Sequence, residues 1–275
     1  MAADLDDTAQ RDVSVYLDVA VNAATEIELQ VAVTRLPGLN LTDTLSITLN
    51  GNTIVPDEII TDSGGRIHWI HAEPGNLYVQ YQASVYGAAD PVTVTRFDRS
   101  LYLRPSRYAE ADKFFGFAAG EFDTTASQSD QLIAVTDFVR RRLSYIFGAS
   151  DPIDGAVDTL LSGAGVCRDY AHLVVALLRA LGIPARLVAV YAPGLSPMDF
   201  HAVAEALIDD RWVVVDATGL APRQSLVRIA TGRDAADTAF LDNHGGDVVL
   251  NSYQVSAVVS GYLPIDDPSV QVQLH

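Results

Sequence analysis

Residues 26–33, Glu-Ile-Glu-Leu-Gln-Val-Ala-Val, alternate strictly between polar and apolar side chains. That is the period of a strand with one buried face. Residues 13–21 alternate more loosely, and Leu45-Ser-Ile-Thr-Leu runs into Asn50-Gly51, a two-residue hairpin signal. Further runs at 66–71, 77–86 and 92–97 predict more short strands, with Gly, Pro and Asp between them. Strands at this spacing predict a β-sandwich. No cluster of reactive side chains falls in this half, which reads as a structural or substrate-positioning module.

The pattern changes after Leu101-Tyr-Leu-Arg-Pro-Ser. Ser127 and Asp130 resemble a capping box with Asp in place of Glu. Leu132, Val135, Phe138, Val139 and Leu143 then recur at helical spacing. A short second helix is predicted over 155–161, ending at Ser162-Gly163. A third is predicted over 167–181, with a wide apolar face, stopped by Gly182 and Pro184. Strands are expected at 185–191, 202–208 and 212–217, and two more at 253–260 and 270–274. Helices followed by an antiparallel sheet give an α+β fold. The boundary is expected near residues 98–108, so that 1–103 form the all-β sandwich domain and 104–275 the second, chemical domain.

Composition narrows the function. The chain has 275 residues, 49% of them hydrophobic, and a formal net charge of −17. So acidic a surface repels nucleic acid and anionic membrane, both of which call for Lys and Arg, and suits a basic substrate. The start, Met1-Ala-Ala-Asp-Leu-Asp-Asp, lacks the basic and apolar regions of a secretory signal. No apolar run reaches the roughly 18 residues of a membrane span. The expected setting is therefore cytoplasmic. One cysteine excludes an internal disulfide and a Cys-based zinc site, and no cofactor is called for. The oligomeric state is not legible.

A lone cysteine is by default a small buried hydrophobe. Cys167, however, sits in Gly163-Ala-Gly-Val-Cys-Arg-Asp, a Gly-rich turn leading into the first turn of a long apolar helix. There the positive end of the helix dipole favours thiolate over thiol, and free backbone N–H groups can hold an oxyanion. A nucleophilic cysteine needs a base. Among six histidines, His275 is terminal, His244 falls in a loop-like Asn-His-Gly-Gly, and His68 and His71 belong to the first domain. His172 lies five residues on, which turns its side chain roughly 140° away from that of Cys167. His201 remains. If Asp209-Asp210 forms a two-residue turn, Ile208 pairs with Arg211 and Val203 with Asp216. His201 and Asp216 then become diagonal neighbours on one face, about 7–8 Å apart at most. An Asp at the far ring nitrogen fixes the tautomer and steadies the imidazolium. Taken singly, each residue has an ordinary reading as a strand-end histidine or a turn-flanking Asp.

Gly165-Val-Cys-Arg-Asp-Tyr-Ala-His-Leu, with its continuation Ala180-Leu-Gly-Ile-Pro-Ala-Arg, resembles the nucleophile motif of bacterial transglutaminase-like cysteine peptidases. Phe200-His-Ala resembles that family's His motif and Trp212-Val-Val-Val-Asp-Ala-Thr its Asp motif. The likeness spans roughly residues 127–220, in the family's order Cys, His, Asp. An N-terminal β-domain before the core also resembles the bacterial members. The resemblance implies a papain-like core and an acyl-enzyme chemistry on amide or peptide substrates, with Cys167, His201 and Asp216 as catalytic residues. Val203 and Ala217 depart from it, standing where relatives carry an aromatic residue and Pro. A second oxyanion donor comes from an upstream side chain in the superfamily. Tyr108 and Tyr145 are the candidates, and both also read as core tyrosines.

The expectation is thus a peptide or protein substrate and a thioester intermediate, resolved by water or by an amine. The rival is a catalytically inactive peptide-binding or scaffolding module of the same fold, which would have no need of all three residues. A third reading is a β-sandwich adhesion protein, against which the lack of a secretory signal weighs.

Overall fold

The structure is a computed structural model and describes residues 9–274. The polar stretch Met1-Ala-Ala-Asp-Leu-Asp-Asp and His275 lie outside them. Strands β1 (Arg11–Ala23), β2 (Thr25–Leu29), β3 (Asn40–Leu49), β4 (Asn52–Ile54), β5 (Asp57–Ile60), β6 (Arg66–Ala72) and β7 (Gly75–Tyr86) come first. They build two facing antiparallel sheets, and the alternation of β1 puts Val13, Val15, Leu17, Val19 and Val21 into the core between them. Asn50 and Gly51 both take positive φ, as the two-residue turn between β3 and β4 requires.

Helices follow: α1 (Arg96–Leu101), α2 (Phe115–Glu121) and α3 (Gln128–Arg142). The strand expected at 92–97 is absent. Thr95 and Asp98 instead form a reciprocal cap that starts α1, a signature that competes successfully with a short apolar run. The chain continues through β8 (Ser144–Tyr145), α4 (Ala156–Ser162), β9 (Ala164–Gly165) and α5 (Cys167–Ala180). Then come β10 (Ala185–Tyr191), β11 (Phe200–Ile208), β12 (Arg211–Val215) and β13 (Val227–Gly232), in the antiparallel order β12-β11-β10-β13. α3 and α5 pack on this sheet around Leu173, Leu177, Ala204, Ala206 and Val213. No helix among the described residues is long and apolar enough to cross a membrane.

The last strands, β14 (Leu241–His244) and β15 (Asp247–Val259), return to the sandwich. β15 pairs with β1 along nearly its whole length, and β14 pairs with β2. Pairing therefore departs from a division at 103/104, because residues 241–259 of the expected second domain complete both sheets of the first. The two parts also share a core: Tyr191, Val227, Ile229 and Ala230 are buried together with the sandwich interior. The strand expected over 26–33 stops at Leu29 for the same reason. Residues 30–34 turn sideways onto the core sheet, where Thr34 N donates to Arg228 O at 3.0 Å and Tyr191 Oη donates to Val31 O at 2.6 Å. The tail expected as a strand at 270–274 is irregular, yet Val214 N donates to Val272 O at 2.8 Å along the free edge of β12.

Candidate active site

Cys167 is the first residue of α5, half-exposed, with Val166 as N-cap. The turn before it is built for close approach. Gly163 ends α4 in the left-handed region at φ 68°. A Cβ on Gly165 would stand 2.7 Å from the side chain of Asp169, so only glycine fits. Asp169, buried, accepts from Val166 N at 2.7 Å and from Ser150 Oγ at 2.9 Å. It thereby caps the helix and pins the loop that precedes Cys167.

The β8–β9 ribbon brings a second group to Cys167. Its two parallel bridges pair Ser144 with Ala164 and Tyr145 with Gly165. The Tyr145 hydroxyl lies beside Cys167. Burial raises its pKa, the neighbouring Cys167 thiol raises it further, and the Cys167 backbone N–H donated to it works in the opposite direction. Of the two tyrosines singled out in the sequence, Tyr145 is the one at the thiol. Tyr108 lines the same cleft but stacks on His172, rings 5.3 Å apart.

The β11–β12 hairpin turns on Asp209 and Asp210, both at positive φ, and pairs Ile208 with Arg211. This register brings His201 and Asp216 onto one face, where His201 Nε2 donates to Asp216 Oδ2 at 2.8 Å. Both residues are buried. The other oxygen, Asp216 Oδ1, accepts from Thr218 N at 2.8 Å and Thr218 Oγ1 at 2.6 Å. Arg140 of α3 reaches the backbone carbonyls of Asp216 and Ala217. On the imidazole, Nδ1 has no hydrogen-bond partner, and Cys167 and His201 line one cleft. Burial opposes the charged imidazole, but Asp216, and after it Cys167, outweigh burial and raise its pKa to about 10. Burial likewise raises the Asp216 carboxyl, and the imidazolium and Thr218 more than offset this, leaving it below the ordinary value.

The other histidines are engaged elsewhere. His172 is fully buried, and its Nε2 accepts from Ala235 N at 3.1 Å. Burial pulls its pKa down to about 3, against the pull of Asp234, so it is a neutral structural residue. His244 contacts Glu28 at 2.6 Å and stacks on Trp69, while His68 and His71 meet Glu58 and Glu26. Sequence reasoning missed Thr218 and Asp169, although each lies within two residues of a residue it had selected. It also missed Asp199, whose Oδ2 accepts from Tyr253 Oη at 3.2 Å. Tyr253 comes from the sandwich strand β15, and no local signal connects it to the site.

Comparison with known proteins gives the family of the fold. The family profile of the Transglutaminase-like superfamily matches residues 117–217. The crystal structure of a candidate cysteine protease from Cytophaga hutchinsonii is 30% identical, with a TM-score of 0.86 over 98% of this chain and 97% of that one. The periplasmic domain of TgpA from Pseudomonas aeruginosa is 18% identical, with a TM-score of 0.45 over 78% of this chain and 90% of that one. An uncharacterised protein of Mycobacterium leprae is 23% identical over 205 residues, and the match spans 70% of this chain and 66% of that relative's length. By fold, full-length likeness and profile alike, the chain belongs to the transglutaminase-like superfamily.

Proposed function

We propose that the protein is a cysteine-dependent acyl-transfer enzyme acting on amide bonds of peptide or protein substrates, with Cys167 as nucleophile, His201 as its acid–base partner and Asp216 as the group that orients His201. The observation that carries this reading is the buried His201–Asp216 pair, which leaves the other ring nitrogen without a hydrogen-bond partner in the cleft that Cys167 also lines. His201 takes the Cys167 proton or already holds it, and the sulfur attacks the amide carbonyl carbon. A C–S bond forms and the carbonyl electron pair moves to oxygen. That oxyanion takes hydrogen bonds from the Cys167 N–H and the Tyr145 hydroxyl. As the C–N bond breaks, His201 gives its proton to the departing amine and leaves a thioester. Water, or an amine, then attacks the thioester while His201 removes its proton, and the C–S bond breaks to return the thiolate. A single unpaired thiol stays reduced in the cytoplasm, the compartment we propose.

Alkylation tests this reading against an inactive binding module of the same fold. Iodoacetamide should label Cys167 readily at a pH of about 6, where an ordinary thiol is almost wholly protonated. His201→Ala should remove most of that reactivity. A wild-type thiol inert below a pH of about 8 would overturn the assignment of Cys167.

A further inference from the structure

The cleft beside Cys167 encloses about 670 Å³. One flank is apolar. Its walls include Leu187 and Ala189 of β10, Ala202 of β11, Ile229 of β13, and Phe240 from the link to β14. Ala189 and Ala202 are direct cross-strand partners, so two methyl groups stand together where larger side chains would close the space. Ile229 is the extra residue of a bulge, since the ladder steps from Ala189↔Ala230 to Val190↔Arg228. Apart from Cys167 and His201 themselves, two lining residues carry charge: Arg168 is turned to Ser150 and the Asp151 carbonyl, and Asp242 is exposed.

Tyr253 Oη donates to Asp199 Oδ2 at 3.2 Å, and the Tyr253 ring lies against Phe200 and Phe240 of the cleft lining, so this polar pair stands at the margin of the chamber. The two halves of an amide substrate differ in character. The acyl part is neutral at the reacting end, whereas the amine becomes an ammonium ion once free. An alanine-lined chamber complements an apolar acyl side chain, and its apolar walls offer an ammonium ion no partner.

We propose that this chamber receives the side chain on the acyl side of the scissile bond and selects large apolar residues there. The proposal rests on the acyl-transfer reading above. N-acetyl-aminoacyl chloromethyl ketones carry only the acyl part and alkylate a cysteine thiolate, forming a C–S bond and expelling chloride. Their rates on the full chain can be read by intact mass. The Leu and Phe reagents should react at least about tenfold faster than the Gly reagent, and the Glu and Lys reagents no faster than Gly. Ala202→Phe should cut the Phe-over-Gly ratio at least about fivefold. Ala236→Leu, from the exposed 3-10 turn on the facing wall, should do the same and keeps the test alive if the β11 variant fails to fold. A flat reagent series, or a ratio unchanged in the variants, overturns the chamber assignment if iodoacetamide still labels Cys167 at a pH of about 6. Inertness to iodoacetamide as well overturns the acyl-transfer reading on which it rests.

Discussion

Asp216 uses its two oxygens for two purposes: Oδ2 holds the imidazole and Oδ1 is itself held by Thr218. Asp216→Asn keeps the shape but removes the charge that stabilises imidazolium, and it permits the wrong tautomer. Turnover of an amide substrate should fall by about 10⁴-fold, the scale of the same change in serine-protease triads. The pH profile gives a second readout. The imidazolium, raised from 6.5 to about 10, is present at neutral pH and is lost as pH rises through the folded value. The alkaline limb of wild-type turnover should therefore lie well above pH 6.5. In the Asn variant it should move to lower pH, because the largest raising influence is gone and only Cys167 then opposes burial. Thr218→Val removes one hydrogen bond worth about 1 kcal/mol and should cost only about fivefold in rate. If Asp216→Asn acylates as fast as wild type with its alkaline limb unmoved, the orienting role is wrong. The placement of Cys167 at a helix start and of His201 beside Asp216 was legible in the sequence, because a helix start and a two-residue hairpin are local and fix side-chain direction. Tyr145 was legible only as one of two tyrosines, because a two-residue parallel bridge, formed across the whole of α4, decides which of them meets the thiol.

At the level of elements, the core sheet carries a buried ion triad beneath the site-bearing strands. Glu205 of β11 accepts from Arg186 Nε at 2.7 Å and from Arg228 Nη2 at 2.6 Å, and all three are buried. The Arg186 guanidinium also lies 3.8 Å from the Trp212 ring centroid. Burial pushes the Glu205 carboxyl up, but the two guanidinium groups more than reverse this and bring its pKa from 4.5 down to about 2. The sign follows directly: the triad's contribution to stability is complete above pH 4.5 and is withdrawn as pH falls toward 2. Glu205→Gln leaves two buried cations uncompensated, which should cost about 3–5 kcal/mol at neutral pH. Equilibrium unfolding in urea measures it. The variant should also lose less stability than wild type between pH 5 and 3, and an equal acid dependence would show that the triad is not what titrates. No sequence pattern announces this triad, since its members come from three strands whose order in the sheet is not their order in the chain.

On the scale of the molecule, the chain begins in the sandwich, builds the core, and returns. Residues 9–103 alone would leave β1 without β15 and β2 without β14, exposing two long unpaired edges. Residues 104–274 alone would expose Tyr191, Val227, Ile229 and Ala230, now buried against the sandwich. Burying a large apolar side chain is worth about 1.5–3 kcal/mol. Three such residues plus an alanine approach the 5–15 kcal/mol that stabilises a whole domain. The cleft depends on the same contact, since Gln30 and Leu241 line it from the sandwich side. We therefore expect one cooperative unit rather than two. The two tryptophans make this measurable, because Trp69 lies on β6 of the sandwich and Trp212 on β12 of the core. In Trp212→Phe, fluorescence reports the sandwich alone, and in Trp69→Phe it reports the core alone. Within each variant, the guanidinium midpoint by fluorescence should coincide with the midpoint by far-UV circular dichroism, as two-state unfolding demands. Separate midpoints would show that the sandwich and the core unfold independently, and that the cleft between them is lost when the first of them melts.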